Sequence, residues 1–138
     1  MTITLYGIPN CDTVKKARLW LSAQRLEFVF HDFKKQGLQR ATVEQWLTQL
    51  APEVLVNRKG TTWRGLPQER RAAVTGADNA DLAIELSLEL MLELPSIVKR
   101  PVLRVTEQRN GSLHDSFHVG FSDVQYRQIF SIQDEPSP

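Results

Sequence analysis

The stretch YGIPNCDTVKKARLWL, Tyr6 to Leu21, decides how the fold is read. Just ahead of its loop, Thr2 to Tyr6 is short, β-branched and aromatic, and Gly7 and Pro9 end it. This predicts a strand and then a tight loop that presents Asn10 and Cys11. Asp12 or Thr13 can cap the first amides of a following helix, whose Val14, Ala17, Trp20 and Leu21 form one apolar face. Phe28 to Phe33 then alternates as a second strand. So short a connection between two strands of one sheet predicts a right-handed crossover, making the pair parallel.

Working outward, the middle third reads as helical. Thr42-Val43-Glu44-Gln45 has the pattern of a capping box, and Trp46, Leu47 and Leu50 follow it. Pro67 suits the first position of a helix over Gln68 to Val74. From Ile84 onward DLAIELSLELMLEL, Asp81 to Leu94, alternates like a half-buried strand. Its Leu, Glu, Met and Ala content favours helix, with Asp81, Glu85, Glu89 and Glu93 on one solvated stripe. The last third turns to β. Pro101 to Val105 predicts a strand, Asn110-Gly111 a hairpin turn, Phe117 to Phe121 the returning strand. Ser122 caps a final helix in which Val124, Ile129 and Phe130 pack on the sheet. The expected domain is residues 1–132, and Gln133 to Pro138, with two prolines, two acids and no apolar residue, is an expected disordered tail.

Composition narrows the function classes. A chain of 138 residues can bury roughly two-thirds of its unfolded surface in one core, so it needs no metal or disulfide as a staple. Seventeen Lys and Arg against sixteen Asp and Glu leave a net charge of +1, too small an excess to imply direct nucleic-acid binding. No apolar run is long enough for a bilayer. The single cysteine excludes an internal disulfide, and the MTITLYGIPN start lacks the layout of a signal peptide; together they point to the cytoplasm. His31, His114 and His118 have no ligand-like spacing, so no metal is expected. Trp20, Trp46 and Trp63 read as packing residues, and Gly60-Thr61-Thr62 is too short to cradle a phosphate.

Cys11 is the informative residue. A free Cys is often only a small buried hydrophobe. A thiol at the entrance of a helix instead faces unpaired N–H groups that favour the thiolate, and Lys15, Lys16 and Arg18 add to that field. Lysines in a first turn oppose the helix dipole, so their presence fits an anionic thiolate or substrate. Position 14 is Val, so a C-x-x-C redox cycle is impossible, and any disulfide chemistry must use an outside thiol. β-α-β, a helical stretch and β-β-α, with a cysteine after the first strand, is the thioredoxin-type arrangement.

GIPNCDTVKKARLWL, NRKGTTWRGL, LPSIVKRPVL and HVGFSD, in this order, resemble the arsenate reductase ArsC-like family, in particular its YffB-type branch, which is related to the Spx regulators. The resemblance implies an α/β fold with a thioredoxin-like core and a helical insertion at about residues 38–95. It implies that Cys11 is the catalytic cysteine and that Pro101 is a cis-proline beside it. Of three arginines that hold an oxyanion in the arsenate reductases, Arg100 matches one and Arg58 falls where another is expected. The third, expected near Gly111 to Leu113, has no match. The expected substrate-binding set is Asn10, Lys15, Arg58, Arg100 and Pro101. The expected activity is that of a thiol-dependent reductase with no bound cofactor. Glutathione is the expected co-substrate, glutathione or a glutaredoxin the resolving partner, and the substrate a small anion or disulfide. Two alternatives stand beside it: a non-catalytic Spx-like regulator binding RNA polymerase, and a glutaredoxin-dependent arsenate reductase.

Overall fold

The structure is a computed structural model in which residues 1–133 are described; residues 134–138, most of the expected tail, lie outside them. The first strand, β1 (Thr2–Gly7), leads through a four-residue loop to α1 (Asp12–Ala23) and then to β2 (Val29–Asp32). β1 and β2 pair in parallel, with Thr4 opposite Val29 and Gly7 opposite Asp32. β2 is shorter than expected. The Asp32 side chain accepts from the amides of Lys34 and Lys35, so Phe33 opens a short helix, α2 (Phe33–Gln36), instead of ending the strand.

Five further helices precede the next strand: α3 (Arg40–Leu47), α4 (Pro52–Leu55), α5 (Thr61–Arg64), α6 (Gln68–Thr75) and α7 (Ala80–Glu93), the last followed by a 3-10 turn at Pro95–Ile97. Two expected helix starts are corrected. α3 begins two residues before Thr42, with Gln39 as its N-cap residue, and Arg40 there reaches both Glu44 and Glu85. Pro67 is the N-cap residue of α6 and not its first helical residue. The helical reading of α7 holds. Ser87, Leu88, Leu90 and Met91 are buried, while Glu85 and Glu93 accept from Arg40 and Arg70 and tie α7 to α3 and α6.

β3 (Val102–Arg109) and β4 (Ser112–Val119) form the hairpin, turning through Asn110 and Gly111 at φ of 50° and 80°. β3 lies antiparallel to β1, giving the sheet order β2-β1-β3-β4. The chain closes with α8 (Asp123–Ile129), capped by Ser122 on the amide of Gln125. Strand alternation separates two apolar clusters. Ile3, Leu5, Leu103 and Val105 pack under Trp20 and Leu21 of α1 and Tyr126 of α8. Tyr6, Val102 and Phe117 face the helices between β2 and β3, meeting Trp46, Leu88 and Met91. Val124, expected to pack on the sheet, is 66% exposed. Tyr126 is the inward residue of α8, and two positions of an α-helix are about 200° apart. This is an α/β fold with a thioredoxin-like core, α1 and α8 packed on one face of the sheet and the helices between β2 and β3 on the other. No helix among the described residues is long and apolar enough to cross a membrane.

Candidate functional site

The parallel strand β1 ends at Gly7, and the loop Ile8-Pro9-Asn10 lifts Cys11 to the start of α1. Gly7 matters because of what lies above it. A Cβ placed there would come within 2.8 Å of Val14 Cγ2, so the missing side chain lets the first turn of α1 settle on the strand end. Cys11 is the N-cap residue, with extended backbone at φ −122° and ψ 125°, and its carbonyl accepts from the amide of Lys15 at 2.9 Å. Asp12 and Thr13 therefore do not cap the helix as expected: α1 begins directly after the cysteine, and Asp12 is its first helical residue. The place normally occupied by a capping oxygen holds sulfur.

The sulfur is partly exposed, and opposing effects act on it. Burial pushes the thiol up, while the amide of Val14, the guanidinium of Arg100 and the amide of Thr13 favour the anion; the net result lies below the ordinary thiol value. The Cys11 side chain makes no capping hydrogen bond of standard geometry to the helix amides, whose effect is to stabilise the thiolate as it forms.

Arg100 arrives from across the sheet. The Arg100–Pro101 peptide bond is cis, as the resemblance implies, and Pro101 is buried with its carbonyl accepting from the amide of Gly120 at 2.8 Å. Arg100 Nη1 donates to the carbonyl of Ser96 at 2.9 Å, with a longer contact to that of Val98 at 3.5 Å. Its buried Nε has no hydrogen-bond partner among the described residues. Ser96 thus aims the guanidinium. Backbone carbonyls and amides have no residue signature, so neither Ser96 nor the Val14 and Thr13 amides could be found from residue types.

The other expected site residues are placed differently. Asn10 is exposed beside the cysteine. Lys15 is exposed one turn along α1, where it lines an open groove with Arg18, Leu19, Ser22 and Phe28. Arg58 sits over the ring of Trp63, 5.4 Å from its centroid. Its loop reaches the Arg100 segment through Asn57, whose amide donates to the carbonyl of Ile97 at 2.9 Å, but the Arg58 side chain rests on the tryptophan. The region expected for a third arginine, Gly111 to Leu113, forms the hairpin tip. Because Tyr6 pairs with Val102 and Thr2 with Thr106, that tip lies at the end of the sheet remote from Cys11. His31 lies in β2 and His114 and His118 in β4, and no metal-ligand cluster occurs among the described residues.

A lone thiol between helix amides and a guanidinium can form one covalent bond to sulfur or to another electrophile, and it needs a second molecule to break that bond. A solved arsenate reductase (ArsC) related protein from Brucella melitensis is 45% identical, covering 94% of this chain and 95% of that one, with a TM-score of 0.61. The solved YFFB protein is 36% identical, covering 92% and 97%, with a TM-score of 0.74. A more distant relative, a global transcriptional regulator Spx from Lactococcus lactis, is 27% identical over 127 residues, 91% of this chain and 83% of that protein. The family model described as "ArsC family" matches residues 6–129, from the strand before the cysteine to the end of the last helix. On that match the chain belongs to the ArsC family.

Proposed function

We propose that the chain is a thiol-dependent reductase of the cytoplasm whose nucleophile is the Cys11 thiolate and whose resolving thiol is glutathione. The observation that carries the proposal is the place of Cys11 as the N-cap residue of α1, where the Val14 and Thr13 amides and the Arg100 guanidinium favour its anion against burial. The thiolate attacks one sulfur of a disulfide. The S–S bond breaks, its electron pair leaves on the departing thiolate, and Cys11 is left in a mixed disulfide. A second thiolate, glutathione, attacks the substrate-derived sulfur of that mixed disulfide and expels the Cys11 thiolate, so each cycle consumes one disulfide and one external thiol and yields one thiol and one glutathione mixed disulfide, which a second glutathione reduces. The chain has a single cysteine, so turnover requires the added thiol. Glutathione suits the site because its carboxylates complement Arg100 and the exposed Lys15, with Asn10 as a polar neighbour. A glutaredoxin could supply the same thiol.

Incubation with oxidised glutathione tests the proposal. The expected product is a mixed disulfide at Cys11, visible by intact mass, reversed by dithiothreitol, and accompanied by turnover of a small disulfide when glutathione is supplied. A folded protein whose Cys11 stays unmodified while the denatured chain reacts would overturn the reading. Arsenate with glutaredoxin is the companion substrate. With one guanidinium at the sulfur, its reduction should be slow, since losing a charged donor to an oxyanion costs on the order of hundredfold in rate. The similarity to an Spx regulator favours a second reading, a non-catalytic contact with RNA polymerase. Under that reading Cys11 gives no turnover with any thiol and the polymerase is retained by the immobilised protein.

A further inference from the structure

Beside the Cys11 loop the surface forms a cavity of about 320 Å³ between Ile8 of the loop, Phe33 and Lys34 of α2, and the segment Glu93 to Ser96. Two of its walls belong to the site already described. Ile8 lies three residues before Cys11 in the same loop, and Ser96 is the residue whose carbonyl holds Arg100. Ile8, Phe33, Leu94 and Pro95 make the lining chiefly apolar. Its charges do not cancel. The Glu93 carboxylate is engaged by Arg70, at 3.2 and 2.6 Å, whereas the Lys34 ammonium is in no ion pair among the described residues. Asp32, the nearest other acid on this element, uses its carboxylate to accept from the amides of Lys34 and Lys35. The volume lies in the range of small-molecule sites, and an apolar lining with few polar groups is their usual chemistry.

We propose that this cavity receives the apolar, anionic arm of the disulfide on which Cys11 acts, an aryl or branched-alkyl carboxylate, with Lys34 meeting the carboxylate. The inference rests on the thiol-reductase reading and names its substrate class. The chemistry is unchanged: Cys11 sulfur bonds to one sulfur of the substrate, the other sulfur leaves with the electron pair of the broken bond, and a glutathione-class thiolate later displaces Cys11. The cavity contributes selection. A disulfide bearing such an arm is held beside the sulfur, whereas a neutral or purely hydrophilic disulfide is not.

Binding is tested first, with a probe that cannot react. Methylthio-nitrobenzoate has the aryl ring, the carboxylate and a thioether but no disulfide, and it can be titrated into the reduced full-length protein while amide resonances are followed. Saturable shifts centred on Ile8, Lys34, Leu94 and Ser96 are expected. Lys34→Glu should weaken binding roughly tenfold, whereas Lys16→Glu, at an exposed position outside the binding set that alters the general field by the same charge, should change it less than about twofold. Lys34 is exposed, so an unchanged melting curve should accompany the loss. The reaction of Cys11 with dithiobis(nitrobenzoate), relative to the uncharged dithiodipyridine, should fall by a similar factor in Lys34→Glu. No saturable shift at millimolar probe, shifts mapping to the α1 groove instead, or equal losses in the two lysine variants would overturn the proposal. The titration needs no reaction at Cys11, so a failure of glutathione adduct formation and a failure of this cavity give different results.

Discussion

Replacing Gly7 by Ala tests how the strand end positions the nucleophile. The added Cβ would lie 2.8 Å from Val14 Cγ2, 3.1 Å from Cγ1 and 3.6 Å from Phe30 Cε2. Val14 is fully buried and β-branched, so in a helix it has essentially one rotamer and cannot turn away. The first turn of α1 must therefore move off the strand. Overpacking of this kind costs about 1–3 kcal/mol, more than the 0.4–1 kcal/mol that Gly→Ala gains through the unfolded chain. The net loss is then up to about 2.6 kcal/mol; with an unfolding entropy of about 2.1 cal/mol/K per residue, 138 residues give roughly 0.3 kcal/mol/K, so Tm should drop by several degrees and by no more than about 9 °C. The Val14 amide also favours the Cys11 thiolate, so the displaced turn should move the pH midpoint of Cys11 alkylation upward. Thermal melts and iodoacetamide rates across pH measure both effects. In the double variant with Val14→Ala, the two losses should be less than additive by about 1 kcal/mol, because removing the methyl groups makes room for the new Cβ. An unchanged Tm with an unchanged midpoint would refute the reasoning.

Three further outcomes are expected. Arg100→Gln should leave the fold intact and move the Cys11 alkylation midpoint to higher pH, since the cation favouring the thiolate is gone; Arg100→Lys, which retains a charge, should fall between. The Asp115 carboxyl is held below its ordinary value by the Arg104 guanidinium and then by the Thr106 hydroxyl. Its folded value lies below its unfolded one, so its contribution to stability is present above pH of about 4 and is lost as pH falls through the folded value. In acid titrations followed by circular dichroism, Arg104→Gln should therefore begin to unfold at higher pH than the parent. The Tyr126 hydroxyl is buried without a hydrogen-bond partner among the described residues, and burial pushes its pKa up. Tyr126→Phe should leave Tm unchanged or raise it, because no buried hydrogen bond is lost, and a loss above about 1 kcal/mol would show that the hydroxyl is paired.

Strand, loop and helix around Cys11 could be read from residue types because Gly7 and Pro9 punctuate the chain and α1 shows its apolar face at helical spacing. The hairpin turn was equally legible, since Asn110 and Gly111 tolerate the positive φ they adopt, but its strands run further toward the turn than the expected Pro101 to Val105 and Phe117 to Phe121. Helix starts were less so. The preference of Asp and Thr for capping pointed past Cys11, yet the N-cap position is defined by extended backbone, which Cys11 adopts. Phe33 looked like a strand residue because alternation continues through it, and only the capping bonds of Asp32 to α2 show where the strand stops. In the site, Arg100 was marked by the residues next to Pro101. Lys15 and Arg58 were suggested by charge and by motif, but side-chain direction and the ring of Trp63 decide where their charges lie, and neither is encoded in spacing along the chain.

The central claim, that Cys11 is poised as a thiolate nucleophile, is tested most directly by titrating the thiol in the folded protein through its thiolate absorbance, with Cys11→Ser as the blank. A midpoint clearly below the value of about 8.5 for a free thiol, moving upward in Arg100→Gln, is the predicted result. A midpoint at or above that value, unmoved by the loss of Arg100, would contradict the account.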